Sequence, residues 1–535
     1  MYSIPRAVSS NRWARAIPLT TLRGVVLFLA VLLGACAGPG PSGTVAEIAL
    51  ELEAGSVELL RGATVEVAVV LVREGGASGD VELSVTGLPG DALVTATFSP
   101  PVLGDGASTS TLVLAAAPEA AEERLALTVV AAGQGLSASA PLDLDVVSLA
   151  VRGRVTGQRQ APQSGIAVSS QGRTAVTDDE GRFELSGLAV PYDLVLWSTG
   201  EGKAHVFEGL TADEVVLGTY FDRPAPQRSA AVVASLAQPV GPDQWVWVCV
   251  EGVDGRAAGC RNLSAGLQDV TLNVTWAGPE QRRVRLHLLV VASGEGGALY
   301  YPGYATRELA LTHGTSLTLD SAIDMGAALA STPATVVFDP AAGVNLALTG
   351  VSLSPMATMR VDARGSPPNP LVIQLPAIDG VGYTTLLRAA AGAVAWSTVP
   401  AGGTVTIALP EAPSQVQPAD GVTGVTLETE FTVDHPGGGP LTWTWAGGGV
   451  SIYLTTMSST VKIPNVSAYG APLPVGAAMS WRVTVLGGDS VEEGARMMHD
   501  QWAFDRLALV ATHSDSITGA GFAVDSRGQA FTTAP

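Results

Sequence analysis

Charge is scarce in this chain and aromatic side chains are scarcer: 15% of its 535 residues are Asp, Glu, Lys or Arg, and 5% are Phe, Trp or Tyr. Positive charge is the rarer sign, with 29 Lys+Arg against 49 Asp+Glu and a formal net charge of −20. That excludes a nucleic-acid partner, because phosphates demand a concentrated positive surface that releases counterions. No apolar run reaches the ~18 residues a membrane-spanning helix needs. Helical periodicity is nearly absent, the best candidate being a short stretch from Val491 to Trp502. Gly-x-Ser-x-Gly, His-Glu-x-x-His, P-loop and dinucleotide fingerprints are all missing, so neither an enzyme nor a cofactor is expected. What the chain has instead is a 47% hydrophobic share, with 62 Gly and 34 Pro. That much apolar surface offsets chain entropy and excludes general disorder.

The first 36 residues carry Arg6, Arg12, Arg15 and Arg23, no acid, and an apolar run from Val25 to Leu33. As a helix this run spans about 14 Å, at ~1.5 Å per residue, against roughly 30 Å of hydrocarbon. It therefore reads as an export signal. Leu33-Gly34-Ala35-Cys36 resembles the lipobox of bacterial lipoproteins. The resemblance implies cleavage between Ala35 and Cys36, a diacylglyceryl thioether on the Cys36 sulfur and acylation of the new amino group. Ala37, standing where an Asp would retain the protein at the inner membrane, gives an expectation of outer-membrane sorting in a two-membrane cell envelope. Residues 36–44, rich in Gly and Pro, read as a tether.

Beyond the tether, apolar and polar residues alternate in short runs separated by Gly, Pro, Asp and Ser. Period two means half-buried strands, and the expected fold is all-β, a series of tandem β-sandwich modules. Five are expected, at residues 45–147, 148–222, 223–330, 331–412 and 413–535. In the first, Gly79-Asp80-Val81-Glu82-Leu83-Ser84-Val85-Thr86-Gly87-Leu88-Pro89 and Phe98-Ser99-Pro100 resemble immunoglobulin-like modules of bacterial surface proteins. In the second, Val151-Arg152-Gly153-Arg154-Val155-Thr156, Gly165-Ile166-Ala167-Val168 and Thr177-Asp178-Asp179-Glu180-Gly181-Arg182-Phe183 resemble the carboxypeptidase regulatory-like domain, a transthyretin-type sandwich. That resemblance implies an accessory unit without peptidase activity. In the last, Pro418 to Val425, Phe431-Thr432-Val433, Gly476 to Val483 and Gly528 to Thr533 resemble a fibronectin type III-like domain with an insertion at about 487–526.

Several local patterns resemble functional sites. Cys249 and Cys260 flank a turn, and in an exported chain they read as a disulfide across a hairpin, the alternative being two reduced buried thiols. Trp245 with Trp247, and Trp443 with Trp445, place two rings on one face of a strand. They are candidates for stacking on sugar rings, core packing being the other reading. His205 and Glu208 match a zinc pair in spacing, but positions three apart on a strand point to opposite faces. Gly488-Asp489-Ser490-Val491, followed by His499 and by Thr512-His513-Ser514-Asp515, echoes a hydrolase nucleophile block with too little chain after it. Asp178, Asp179 and Glu180 read as a turn, because they lack the alternating spacing that wraps calcium.

These readings converge on a non-enzymatic, lipid-anchored cell-envelope protein, a rod of sandwiches held to the membrane by Cys36, with no metal. An envelope polysaccharide or another surface protein is the expected partner.

Overall fold

The computed structural model describes residues 46–534 apart from 158–160, 199, 225–226, 253–256, 277, 295–297, 340–342, 355–356, 390–392, 436, 499–520 and 527. Ala35, Cys36, His499 and the 512–515 block lie outside the described residues. The fold is all-β, and among the described residues no helix is long and apolar enough to cross a membrane.

Alternation builds the first sandwich directly. In the strand Thr109–Ala116 every second side chain, Ser110, Leu112, Leu114 and Ala116, points inward. It pairs with Thr64–Glu74 and Val94–Ser99 in one sheet. The facing sheet contains Glu123–Gly133 and Leu136–Val147, whose Leu127, Val129, Leu142 and Leu144 complete the core. Phe98 is half-buried against that core. Contact with the next unit runs through backbone: Val190 N–H donates to Arg61 O at 2.8 Å. Gly62, at φ +81°, lies so close to the Val190 carbonyl that a Cβ would collide with it.

In the second unit, Leu149–Thr156 sits between Arg182–Leu188 and Glu214–Gly218 in a three-stranded sheet. Tyr192–Ser198 and Lys203–Leu210 belong to the facing sheet. Asp178 makes the connecting turn: its Oδ1 accepts the N–H groups of Glu180 and Arg182, each at 2.8 Å. Phe183 and Leu185 then return to the core.

The third unit is one eight-stranded sheet, curled so that strands far apart in it share a core of Val232, Val248, Leu272, Leu286 and Leu288. Its central strands, Gln244–Gly252 and Gln281–Ser293, are buried on both faces over residues 246–252 and 286–292. On the outer face, Trp247, Cys249, Leu289 and Val291 pack against Val336, Val351, Met359 and Ile373 of the fourth unit. The unbroken apolar runs in these two strands follow from that double burial, since neither face meets water.

A rod of modules in chain order does not describe the arrangement. A single fourteen-stranded sheet runs through the second, fourth and fifth units. Lys203–Leu210 pairs in parallel with Val450–Thr456 of the fifth unit, with Lys203 opposite Ser451 and His205 opposite Tyr453. On the other side of the fifth unit, Gly521–Asp525 pairs with Val394–Thr398 of the fourth, with Val394 opposite Ala523. The C-terminal unit is thus inserted between two units that precede it in sequence, its sheet edges satisfied by theirs. An exposed edge presents a row of unpaired N–H and C=O groups, and joining edges removes that liability.

Of the helix expected over Val491 to Trp502, residues 491–498 are helical and the remainder lies outside the described residues. Ser490 Oγ accepts the Glu493 N–H at 3.2 Å as a capping hydroxyl does, and Glu493 Oε2 accepts the N–H of Asp489, one residue before the cap, at 2.7 Å. Val491 and Ala495 enter the core of the second unit, whereas Met497 and Met498 pack with Leu348, Leu386 and Trp396 of the fourth.

Candidate functional site

Cys249 and Cys260 form a disulfide between directly opposed residues of Gln244–Gly252 and Ala257–Leu263, with Cα atoms 4.1 Å apart. Both are buried at the contact between the third and fourth units.

The tryptophan pairs do share a strand face, but the face is turned inward, which corrects their reading as sugar platforms. Trp443 and Trp445 are fully buried, stacked at 6.1 Å between ring centroids, and Trp443 stacks in turn on Trp481 at 5.8 Å. Phe431 meets Trp445 and Trp481 edge-on. Trp247 is 3% exposed, and half-buried Trp245 packs against the same core. Indoles in a strand of an acidic, aromatic-poor chain are the largest apolar surfaces available, so the cores take them.

Two buried polar constellations were not legible as sites. The first lies on the face that carries the disulfide. His287 Nε2 is 2.7 Å from Glu251 Oε1, and His287 Nδ1 is 2.9 Å from the Tyr304 hydroxyl. The Glu251 and His287 side chains are each 5% exposed. The tautomer that donates Nε2–H to Glu251 leaves Nδ1 to accept the Tyr304 hydroxyl proton. Burial, reinforced by the charge of Glu251, pushes the Tyr304 phenol up to about 12, so it remains a donor. The available signal was a carboxylate two residues beyond Cys249, on the same face of an apolar strand. The group has the makings of a proton relay but is enclosed by packed side chains.

The second lies where the second and fifth units join. Lys203–Leu210 buries both faces: Ala204 and Val206 enter the core of the fifth unit, and Phe207 that of the second. His205 lies on the Phe207 side, 4.3 Å from the Tyr453 ring and nearly parallel to it. Its Nε2 accepts the Tyr220 N–H at 3.0 Å. Complete burial, with Lys203 adding repulsion, holds the His205 ring well below the usual imidazole range, hence neutral. Glu208 is on the opposite face, its carboxyl raised chiefly by burial, and the pair cannot share a metal. Among the described residues no group of three or more metal-ligating side chains occurs.

The remaining decoys have structural roles. Ser490 caps a helix, and Asp179 Oδ1 accepts the Ser164 hydroxyl at 2.9 Å. Glu492, which no motif singled out, accepts the Thr211 and Ala212 N–H groups at 2.5 and 3.1 Å. Burial alone would raise its carboxyl, but these backbone donors outweigh it and leave the group below the usual carboxylate range.

No family model matches the sequence, and no curated protein matches it. Solved structures with some similarity include domains 4 and 5 of the S-layer protein SbsC, at 18% identity and a TM-score of 0.15, covering 18% of this chain and 50% of that one. SbsC domains 4–9 align at 11% identity and a TM-score of 0.15, covering 82% and 63%. The pilus adhesin SpaC from Lactobacillus rhamnosus GG aligns at 10% identity and a TM-score of 0.13, covering 62% and 54%. The chain thus spans half the length of the first of these. At such TM-scores the class rests on this protein's own sheets, which define a multi-unit β-sandwich protein. Its particular feature is that strand pairing, in addition to linkers, joins the units.

Proposed function

We propose that this protein is a lipid-anchored, non-enzymatic component of a bacterial cell envelope, held by Cys36 at the outer membrane and presenting a β-sandwich assembly for a structural or adhesive role. The observation that carries the reading is a sheet shared by three units, taken together with a first segment that reads as an export signal. Shared strands keep the units from moving independently, which suits a scaffold that must hold its shape outside the cytoplasm. An adhesive role directs attention to surface protein rather than polysaccharide, because the indoles that would stack on sugars are committed to cores.

Metabolic labelling with an alkyne fatty acid, combined with protease treatment of intact cells, tests the anchor. The expected result is label on the native protein and none on Cys36→Ala. A mature form that begins elsewhere and carries no lipid would refute it.

A further inference from the structure

We propose that the seam between Lys203–Leu210 and Val450–Thr456 is a pH-sensitive latch, closed when His205 is neutral and opened locally by its protonation. The inference stands apart from the anchoring proposal and depends on the geometry of the seam.

His205 is the polar centre of an aromatic stack that spans two units. Its ring lies 4.3 Å from Tyr453 of the fifth unit, 4.8 Å from Phe221 and 5.8 Å from Tyr220. Tyr220 stacks on Tyr453 at 4.6 Å, closing the group, and also packs against the apolar cluster of Leu348, Trp396 and Met497. One backbone hydrogen bond positions this tyrosine against the imidazole: its N–H donates to His205 Nε2. A proton on Nε2 sets two donors against each other at that distance, so the bond is lost and Tyr220 must shift. Lys203 Nζ holds the same residue from its carbonyl side, at 3.1 Å. The stack therefore cannot relax without disturbing the contact with Tyr453.

Among the described residues, no unengaged buried carboxylate faces the ring. On the histidine's own strand the nearest charge is Lys203, which opposes protonation. Glu201 is engaged by Arg223 at 3.0 Å and Lys203 at 3.6 Å. From the loop after Glu214–Gly218 come Tyr220, Arg223 and exposed Asp222. From Val450–Thr456 comes Tyr453, raised by burial, and two strands further on the same face stands Arg482. On the neighbouring strand buried Leu196 stands opposite His205 and buried Leu194 opposite Phe207. Opening the seam gives the imidazole to water, where it titrates near ~6.5.

The sign follows from linkage. Above ~6.5 neither state holds the proton, and the closed seam is at full strength. Below it the open state binds a proton more readily than the closed state, so opening gains up to about tenfold per pH unit. Between pH 7.5 and 5.0 this amounts to at most about 30-fold. The packing of Val491 and Ala495 remains as a second tie, which keeps the opening local.

Hydrogen exchange of the full chain in detergent, corrected for intrinsic rates, tests the latch. Protection of the Ser451, Tyr453 and Thr455 amides, the alternate set that points across the seam as Ser451 N–H does to Gly202 O, should fall by up to about 30-fold between pH 7.5 and 5.0, while the Thr109–Ala116 strand stays constant. His205→Gln, which can still accept the Tyr220 N–H, should abolish the pH dependence. Equal pH profiles in wild type and variant, or no fall in the wild type, would overturn the proposal. Should the variant fail to fold, carbon-labelled histidine in the wild type decides: a His205 ring titrating near ~6.5 with the seam still protected refutes it.

Discussion

The strand Thr109–Ala116 in the first sandwich and the strand Lys203–Leu210 at the seam are of equal length and similar apolar content, but they bury their side chains differently. The first alternates strictly between inward and outward residues. The second buries four consecutive residues, Ala204 to Phe207. One strand serves a single core, the other two. Alternation is thus the signature of a self-contained sandwich, and its interruption marks a strand shared between units. The same rule explains Gln244–Gly252 and Gln281–Ser293, whose continuous burial marks the contact between the third and fourth units.

If that contrast is sound, damage at shared strands should cost far more than damage to the first sandwich. The largest effect is expected for His287→Leu, which leaves Glu251 buried without its partner. The transition of residues 228–408, followed by hydrogen exchange against denaturant, should lose about 3 kcal/mol. Adding Glu251→Leu should restore part of the loss, because both polar groups are then gone. A double variant no better than the single one would show that packing, rather than the unpaired carboxylate, sets the penalty.

Next is the disulfide at the same contact. Cys249→Ala with Cys260→Ala should destabilise this transition by about 2 to 3 kcal/mol, the loop-closure value for a short loop. The exchange of Thr109–Ala116 should not respond. Matching losses in both regions would mean that they unfold as one and that the contrast fails.

A smaller change is expected for Glu492→Ala, which frees the Thr211 and Ala212 amides. The helix at 491–498 should open more easily by about 1.5 kcal/mol, the contribution of a hydrogen bond to a charged acceptor. Because the Glu492 carboxyl is depressed in the folded state, its contribution is complete above the ordinary carboxylate value of ~4.5 and fades as pH falls below it. Local exchange should therefore separate wild type from variant more widely at pH 7 than at pH 3.5. Least of all should follow from Arg124→Ala in the first sandwich, where the exposed guanidinium pairs with half-exposed Asp143 at 2.9 Å. The thermal midpoint should not move measurably, since exposed pairs are screened.

Much of the local structure was legible because it depends on neighbours in sequence. Period two in the first sandwich, the Asp178 turn, the hairpin disulfide and the short helix at 491–498 all follow from residues a few positions apart. The tryptophan pairs were half legible. Spacing placed Trp443 and Trp445 on one face, but it could not say whether that face met solvent or Trp481. The Gly488-Asp489-Ser490 block was ambiguous for the same reason, since a serine before a helix and a serine in a nucleophile block look alike until the cap hydrogen bonds are seen.

By itself, the order of residues determined that the chain would be strands and turns, where cores would collect apolar side chains, and that its first segment reads as an export signal. The tertiary structure alone decided that the fifth unit stands between the second and the fourth, and that His205 and Glu251 are enclosed. Edges join through backbone N–H and C=O groups, which every residue but proline carries alike. Side-chain pattern therefore cannot announce which edge meets which, and a seam is visible only once the strands on either side of it have been brought together.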